Sequence, residues 1–539
     1  MIITAEGKKQ DELKELFVAV RIVESCGVDN VEQLMVPKPA AVSFKRKDMT
    51  CFHAGSYVVL DFGKELCGGI RMITRESDGM AKWRFTFGES LTETYSTIGE
   101  KNAMNYHSPR DFEVVVPMMS DLHYGQTGFR FVRMELLEGA PATIQNIFAV
   151  SYLPLLTKEA EIETNDEMLN EIIRTATYTL KLNLQNGFMW DGIKRDRLVW
   201  CGDLHPEIMS SLYMFGDIEH ITNSLAFLRD SKEPEQWVNT IPSYSAWWVI
   251  NMCDYCTTSG NWEFFNESRA FALEIIERFE HCIGENGELE LKDGEGMEHF
   301  LDWSTFGTED AKVGVTALVL WMAQKYITIE ENAACRSIID KLSRYVDVDT
   351  TTKPVRAFQI LTGRQNEKDA DMLQTGGAKG FSTFMAYYIL TAMAEAGGND
   401  MLQILKSYYG GMISRGATTF WEDFDIDWLE NTCCIDEIPK EGQKDIHGDF
   451  GKYCYIQFRH SLCHGWSAGV LAFIVEYILG VKLKNGGETF SVEPHTLGLT
   501  NIKAKIPVKD GWISIQITDG KVNTCKIVCE KEEGKDYEK

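Results

Sequence analysis

In DEMLNEIIRTATYTLKLNLQ (residues 166–185) the apolar residues fall at the three-and-four spacing of an amphipathic helix. Strand-like patterning stops here. From about Asn165 to Val481 nearly every apolar run keeps helical spacing, as in HITNSLAFLRD (220–230), NESRAFALEIIERFEHCI (266–283) and TEDAKVGVTALVLWMAQKYI (308–327). NAACRSIIDKLSRYV (332–346), GFSTFMAYYILTAMAEAG (380–397), DMLQILKSYYGGMI (400–413) and SAGVLAFIVEYILG (467–480) continue it. Gly- and Asn-bearing loops between the runs imply antiparallel hairpins. About a dozen helices are too many for one bundle and suit a toroid of hairpins. No strict repeat marks a consensus solenoid.

On either side of this section the period changes to two. SYVVLDFG (56–63), KWRFTFGES (82–90), DFEVVVPM (111–118), GFRFVRMELL (128–137) and IFAVSYL (147–153) alternate between turn residues, which predicts an antiparallel β-sandwich. Upstream, residues 11–17 fit a short amphipathic helix. After Gly480, IKAKIPVKD (502–510), GWISIQITDG (511–520) and VNTCKIVCE (522–530) predict a small β domain, and the charged end EKEEGKDYEK (530–539) predicts fraying. The expected fold is therefore multidomain and mainly α: an N-terminal β-sandwich (1–155), an (α/α)6 toroid (156–482) and a C-terminal β domain (483–539).

Composition restricts the function. A chain of 539 residues is too long for a single core, and its hydrophobic (44%) and charged (25%) fractions are those of a globular protein. Eighty acidic against 54 basic residues leave a net charge of −26, which argues against nucleic acid or an anionic membrane as partner. The N-terminus MIITAEGKKQDELKELF lacks the apolar stretch of a signal peptide, and the 14 cysteines form no framework, so a cytoplasmic location is expected. The pair Cys253 and Cys256 lies in an apolar helical run and reads as buried structure.

Four segments concentrate chemistry. MWDGIKRDRLVWCGDLHPE (189–207) places Asp191, Asp196, Asp203 and Glu207 among Arg195, Arg197, Trp190 and Trp200 in a loop between helices. Mixed charge is usually a solvated face, but two tryptophans beside carboxylates are the composition of a sugar site, where ring faces stack on a pyranose and carboxylates take its hydroxyls. GATTFWEDFDIDWLE (416–430) carries Glu422, FRHSLCHGWSAG (458–469) carries His460, His464 and Trp466, and MEHFLDWSTFG (297–307) carries Asp302 and Trp303. There is no H-E-x-x-H, G-x-S-x-G or P-loop, and the aspartates have no recognisable metal spacing.

These segments, in this order, resemble the bacterial α-L-rhamnosidases of glycoside hydrolase family 78. LDFGKELCGGIR (60–71), GEKNAMNYHSPRDF (99–112) and TGFRFVRMELLEG (127–139) are similar to that family's accessory β-sandwich. DGIKRDRLVWCGD (191–203) and GATTFWEDFD (416–425) resemble its two catalytic segments. SLCHGWSAG (461–469), VEPHTLGL (492–499) and IKAKIPVKDG (502–511) resemble its closing helix and last β domain.

The resemblance implies an inverting glycosidase that releases L-rhamnose from small rhamnosides such as disaccharides or flavonoid glycosides. It implies no cofactor or metal, and a homodimer is compatible with it. It places the general acid at Asp196, where the family usually has glutamate, and the general base at Glu422. Asp191 and Asp203 fall on sugar-hydroxyl ligands, His464 on a histidine beside the base, and Trp200, Trp303 and either Trp247 or Trp248 on walls. Arg195 or Arg197 would hold the carboxylates. Two alternatives stay open: a six-hairpin glycosidase for another sugar, and a non-catalytic carbohydrate-binding protein.

Overall fold

The computed structural model describes residues 12–42, 49–233, 235–350, 352–452 and 455–529. The charged end from residue 530 lies outside them. The N-terminal strands are β1 (Glu12–Phe17), β2 (Arg21–Asp29), β3 (Thr50–Ser77), β4 (Ala81–Gly88), β5 (Asp111–Val116), β6 (Asp121–Glu138) and β7 (Ala142–Pro154). All are antiparallel and join in one sheet of order β1-β7-β3-β6-β4-β5, with β2 also on β3.

This differs from two separate sheets. The 28-residue β3 pairs with both β6 and β7, with register shifts between Asp61 and Leu66 and between Phe52 and Gly68. Such irregularities bend a strand and raise its twist, so one hydrogen-bonded sheet curls around the core of Phe52, Trp83, Phe85, Phe87 and Phe129. The expected helix at 11–17 is also corrected. Glu12–Phe17 is an edge strand paired with β7 from Glu12↔Pro154 to Phe17↔Ala149. Its Glu, Leu and Lys residues favour a helix locally, but a free sheet edge satisfies the backbone better than one isolated turn.

A short helix, α1 (Leu91–Tyr95), follows β4. After β8 (Glu161–Thr164) the chain is helical: α2 (Glu167–Asn183), α3 (Leu204–Phe215), α4 (Glu219–Asp230), α5 (Pro242–Ser259), α6 (Trp262–His281), α7 (Asp310–Ile327) and α8 (Ala333–Leu342). Then come α9 (Lys353–Leu361), α10 (Asp369–Gln374), α11 (Met385–Glu395), α12 (Met401–Ser414) and α13 (Val470–Phe473). Side-chain caps start several of them: Asp166 accepts from the Leu169 N–H, Asn261 from that of Phe264 and Asn332 from that of Cys335.

Helices α3, α5, α7 and α11 are buried on nearly every side, whereas α4, α6 and α8 bury one face. Contacts run α3–α5–α7–α9–α11–α13 and return from α13 to α3. Beyond the short hairpin β9 (Leu184–Gln185) with β10 (Phe188–Met189) and the pair β11 (Val481–Lys484) with β12 (Thr489–Val492), the last sheet is β13 (Asn501–Val508), β14 (Gly511–Thr518) and β15 (Lys521–Cys529). Its fourth strand is β8, so the C-terminal sheet draws on the segment just after the N-terminal one. Among the described residues no helix is long and apolar enough to cross a membrane.

Candidate active site

The 190–203 loop runs from β10 to α3 across the ends of the buried helices, and neighbouring segments tie it down. The Asp191 N–H donates to the Leu198 carbonyl (3.0 Å) and the Leu198 N–H returns to Asp191 Oδ1 (2.9 Å). The Gly465 N–H donates to the Asp191 carbonyl (2.7 Å). At the turn of the loop, Asp196 and Arg197 both adopt left-handed backbone (φ 55° and 58°), unusual for two consecutive non-glycine residues and a mark of functional loops. The Arg197 guanidinium lies over the Trp190 ring (4.6 Å) and donates to the Gln126 carbonyl (3.2 Å).

Arg195 organises the charge. Its Nη1 lies 3.0 Å from Asp196 Oδ1, and its Nη2 donates to Glu422 Oε1. Its Nε donates to the Arg459 carbonyl (2.9 Å), which fixes the plane of the fork. One planar cation therefore holds both carboxylates, a geometry a lysine cannot reproduce. Glu422 is 2% exposed and Asp196 19%. The Ser461 N–H donates to Glu422 Oε2 (2.9 Å), and His464 Nδ1 lies 3.9 Å from Glu422 Oε1. Burial pushes the Glu422 carboxyl up, while Arg195 and the Ser461 N–H pull it back.

Behind this pair lies a further set of buried carboxyls, raised in the same direction as Glu422. Burial, then the neighbouring Asp196 charge, raises Asp191 well above the usual carboxylate range. Burial and Asp191 do the same to Asp203, and burial and Asp203 to Glu207. Asp203 Oδ1 and Glu207 Oε1 accept no hydrogen bond from the described residues, and neither ring nitrogen of His464 has a partner there. Burial, then Arg195, keeps that histidine well below its ordinary value, hence neutral. Carboxyls raised by burial and a neutral imidazole give the site hydrogen-bond donors as well as acceptors.

A cavity of about 470 Å³ opens on Glu422, with Asp302, Asp423, Trp303, Tyr455 and Trp466 on its walls. The Trp466 indole N–H donates to the Glu422 carbonyl (3.0 Å). Asp302 accepts from the Ser304 (2.5 Å) and Ser382 (2.9 Å) hydroxyls, and burial lifts Asp423 to about 7.

The loop and the 416–430 and 458–469 segments thus bring Asp191, Arg195, Asp196, Asp203, Glu422 and His464 together, and Trp303 lines the cavity. Trp200 is half-buried and not on the cavity wall. It is joined to Trp303 by edge contacts through Tyr244 and Phe300. Trp247 and Trp248 are corrected: both are fully buried in α5. Trp247 packs among His205, Trp321 and Tyr388, and Trp248 against Phe271 with its indole N–H on the Leu225 carbonyl (3.1 Å). Helical period explains them, since α5 is apolar on every side and its tryptophans fill the core.

Sequence reasoning missed Tyr455, which stands between the Arg195 guanidinium (6.0 Å) and Trp303 (6.0 Å), and His107, whose Nε2 lies 3.6 Å from Asp196 Oδ1. Tyr455 sits in an irregular segment with no periodicity. His107 arrives from the N-terminal sheet unit, far away in sequence.

Residues 157–282, which include the whole 191–203 loop, match the family model described as the bacterial alpha-L-rhamnosidase 6 hairpin glycosidase domain. The fold is similar to a GH78 family rhamnosidase of Bacillus sp. GL1 (TM-score 0.69, 19% identity), over 90% of this chain and 53% of that one. It is also similar to a rhamnosidase from Klebsiella oxytoca with rhamnose bound (TM-score 0.68, 17% identity), over 86% and 95%. A Streptomyces avermitilis α-L-rhamnosidase complexed with L-rhamnose gives a TM-score of 0.67 at 16% identity, over 93% and 47%. Residues 157–282 thus match the six-hairpin domain of bacterial α-L-rhamnosidases, and the chain as a whole has a fold similar to those enzymes. It spans about half the length of the Bacillus and Streptomyces relatives, and nearly all of the Klebsiella one. No curated protein sequence matches it.

Proposed function

We propose that this protein hydrolyses small α-L-rhamnosides with inversion, with Asp196 as general acid and Glu422 as general base. The observation that carries the reading is the Arg195 fork between these two carboxylates beside a cavity lined by Trp303 and Trp466. Against the burial of Glu422 (2% exposed), Arg195 and the Ser461 N–H on its oxygens favour the ionised form that a base needs. Asp196, at 19%, is the more solvent-exposed of the two, as suits a group that meets a departing alcohol.

In this mechanism Asp196 gives its proton to the glycosidic oxygen as the anomeric C–O bond breaks. Glu422 takes a proton from water as the water oxygen bonds to the anomeric carbon from the opposite face. The products are the aglycone alcohol and β-L-rhamnose. An inverting pair stands roughly 6.5–9.5 Å apart in the working complex, which leaves room for the water. A volume of about 470 Å³ suits one sugar with part of its aglycone. The proposed frame is an (α/α)6 toroid, supported by the contact series from α3 through α13 and back.

A panel of aryl glycosides tests the substrate, with hydrolysis of the α-L-rhamnoside expected. Preference for a different sugar would reassign the enzyme within the six-hairpin class. That rival draws on the aspartate at position 196, whose reach is one methylene shorter than the glutamate usual in the family. Proton NMR at early times tests the stereochemistry: β-L-rhamnose first is expected, and α first contradicts inversion.

A further inference from the structure

A second buried charge cluster lies behind the site, contributed mainly by the N-terminal sheet unit. Glu89, just after β4, is fully buried. Its Oε2 lies 2.9 Å from Lys194 Nζ and accepts the Leu462 N–H (2.6 Å), and its Oε1 accepts the Ser461 hydroxyl (3.1 Å). Lys194 is the neighbour of Arg195. Its ammonium also reaches Glu93 Oε1 (3.2 Å) and donates to the carbonyls of Phe458 (3.0 Å) and His460 (2.5 Å). So Glu89 holds two strands of chain at once: the loop that carries Arg195 and the segment that carries Ser461.

Both lead to Glu422. The Ser461 N–H donates to Glu422 Oε2 (2.9 Å), the Glu422 N–H donates back to the Ser461 carbonyl (3.0 Å), and Arg195 donates to Glu422 Oε1. Next to them the Asp423 N–H donates to His460 Nε2 (2.9 Å). Nothing in the sequence-derived site contains Glu89, and Glu89 touches neither Glu422 nor the cavity.

We propose that Glu89 is a positioning residue, through which the N-terminal sheet sets the place of the base Glu422 by way of Lys194, Ser461 and Leu462. The inference rests on the glycosidase reading of the Glu422 site. The surroundings are those of a switchable pair rather than inert filler. Burial opposes the Lys194 charge, and Glu89 and Glu93 outweigh it and hold the ammonium above its usual value. Burial lifts Glu89 to about 7 against the pull of Lys194. The other titratable groups around the pair are Glu93 on α1, Glu65 on β3, Arg110 before β5, His460 and Cys463 on the segment that carries Ser461, and His447, hydrogen-bonded to Ser90 (2.7 Å).

Protonated Glu89 no longer balances Lys194, which loosens the hold on both segments. Glu89→Gln imitates that form without changing volume. The test measures kcat and KM for wild type, Glu89→Gln, Lys194→Met and the double variant on an aryl α-L-rhamnoside, a pH unit or more on either side of 7. Expected above pH 7 is a fall in kcat of at least about tenfold for Glu89→Gln, with KM within about twofold, because the base is displaced while the cavity is not. The gap between the two proteins should close as pH falls below 7, where wild type also carries a neutral residue 89. The double variant should be no worse than Lys194→Met alone.

A ratio of wild type to Glu89→Gln that stays constant with pH, or an unchanged kcat, would overturn the proposal. Inactive wild type would instead remove the glycosidase reading. A crystal structure of Glu89→Gln then decides the positioning claim without turnover: a lengthened Ser461 N–Glu422 Oε2 contact supports it, and one kept at 2.9 Å refutes it. The same structure answers for a variant that folds poorly in solution, as does Glu89→Asp, which keeps the charge and should retain more activity than Glu89→Gln.

Discussion

Arg195→Met removes the guanidinium that, alone among the described residues, touches both Asp196 and Glu422, while keeping most of the side-chain volume. Two unit charges about 4 Å apart attract by about 4 kcal/mol at the effective dielectric of roughly 20 that suits protein sites. Breaking a buried pair by removing one partner costs about 3–5 kcal/mol, because the remaining charge stays desolvated. Glu422 meets this cost by taking a proton. It is already raised by burial, and Arg195 is the largest influence pulling it down.

Asp196, which repels it, also remains. A base must be ionised, so the acid limb of the rate profile moves to higher pH in Arg195→Met. If about 1.4 kcal/mol of the lost attraction falls on the base, its pKa rises by about one unit and kcat/KM drops about tenfold on the acid limb. The assay is kcat/KM from acid to alkaline pH for wild type, Arg195→Met and Arg195→Lys. The lysine variant should be intermediate, since one ammonium cannot serve two carboxylates as a planar fork does. Arg195→Met with its acid limb in place and kcat/KM within about twofold of wild type would refute this account of the fork.

Three further outcomes are expected. Gly465→Ala should destabilise by about 1–3 kcal/mol and reduce activity, because its Cβ would meet Glu207 Oε1 at 1.9 Å and Cδ at 2.5 Å; denaturant unfolding should show partial rescue by Glu207→Ala. Trp303→Ala should raise KM for the rhamnoside, whereas Trp248→Phe should lower stability and leave KM unchanged, and steady-state kinetics beside thermal unfolding separates the two. Burial opposes ionisation of Asp254, but Lys325 (2.7 Å) and His205 (3.1 Å) outweigh it and hold the carboxylate down at about 2. The stability it contributes is present above its unfolded value and lost as pH falls toward 2, so the deficit of Asp254→Asn should be largest near neutrality and shrink in acid.

The elements that were legible in the chain are those whose signal is periodic or clustered. The apolar spacing of α2 and α7 is local, and so is the alternation of β4 and β13, so each segment declares its own type. The 191–203 loop announced itself because its tryptophans and carboxylates are contiguous. What escaped is what long-range pairing decides. Glu12–Phe17 has helix-forming residues and became a strand only because β7 offered an edge. Trp247 and Trp248 look like sugar platforms in a string of letters, but α5 turns both into the core, a matter of which faces its neighbours cover. Tyr455 sits in an irregular stretch, His107 reaches the site and Glu89 the segments behind it from the N-terminal sheet unit, and no spacing within the chain records those meetings.

The proposed function requires the Asp196–Arg195–Glu422 constellation to break an α-L-rhamnosidic bond. The most direct measurement is release of nitrophenol from p-nitrophenyl α-L-rhamnopyranoside by wild type, Glu422→Gln and Asp196→Asn, with a natural rhamnose disaccharide run beside it because an activated leaving group partly hides loss of the acid. Turnover by wild type is expected, with Glu422→Gln nearly inactive on both substrates and Asp196→Asn impaired far more on the disaccharide. Turnover that survives both substitutions, or binding of L-rhamnose with no hydrolysis of either substrate, would contradict it.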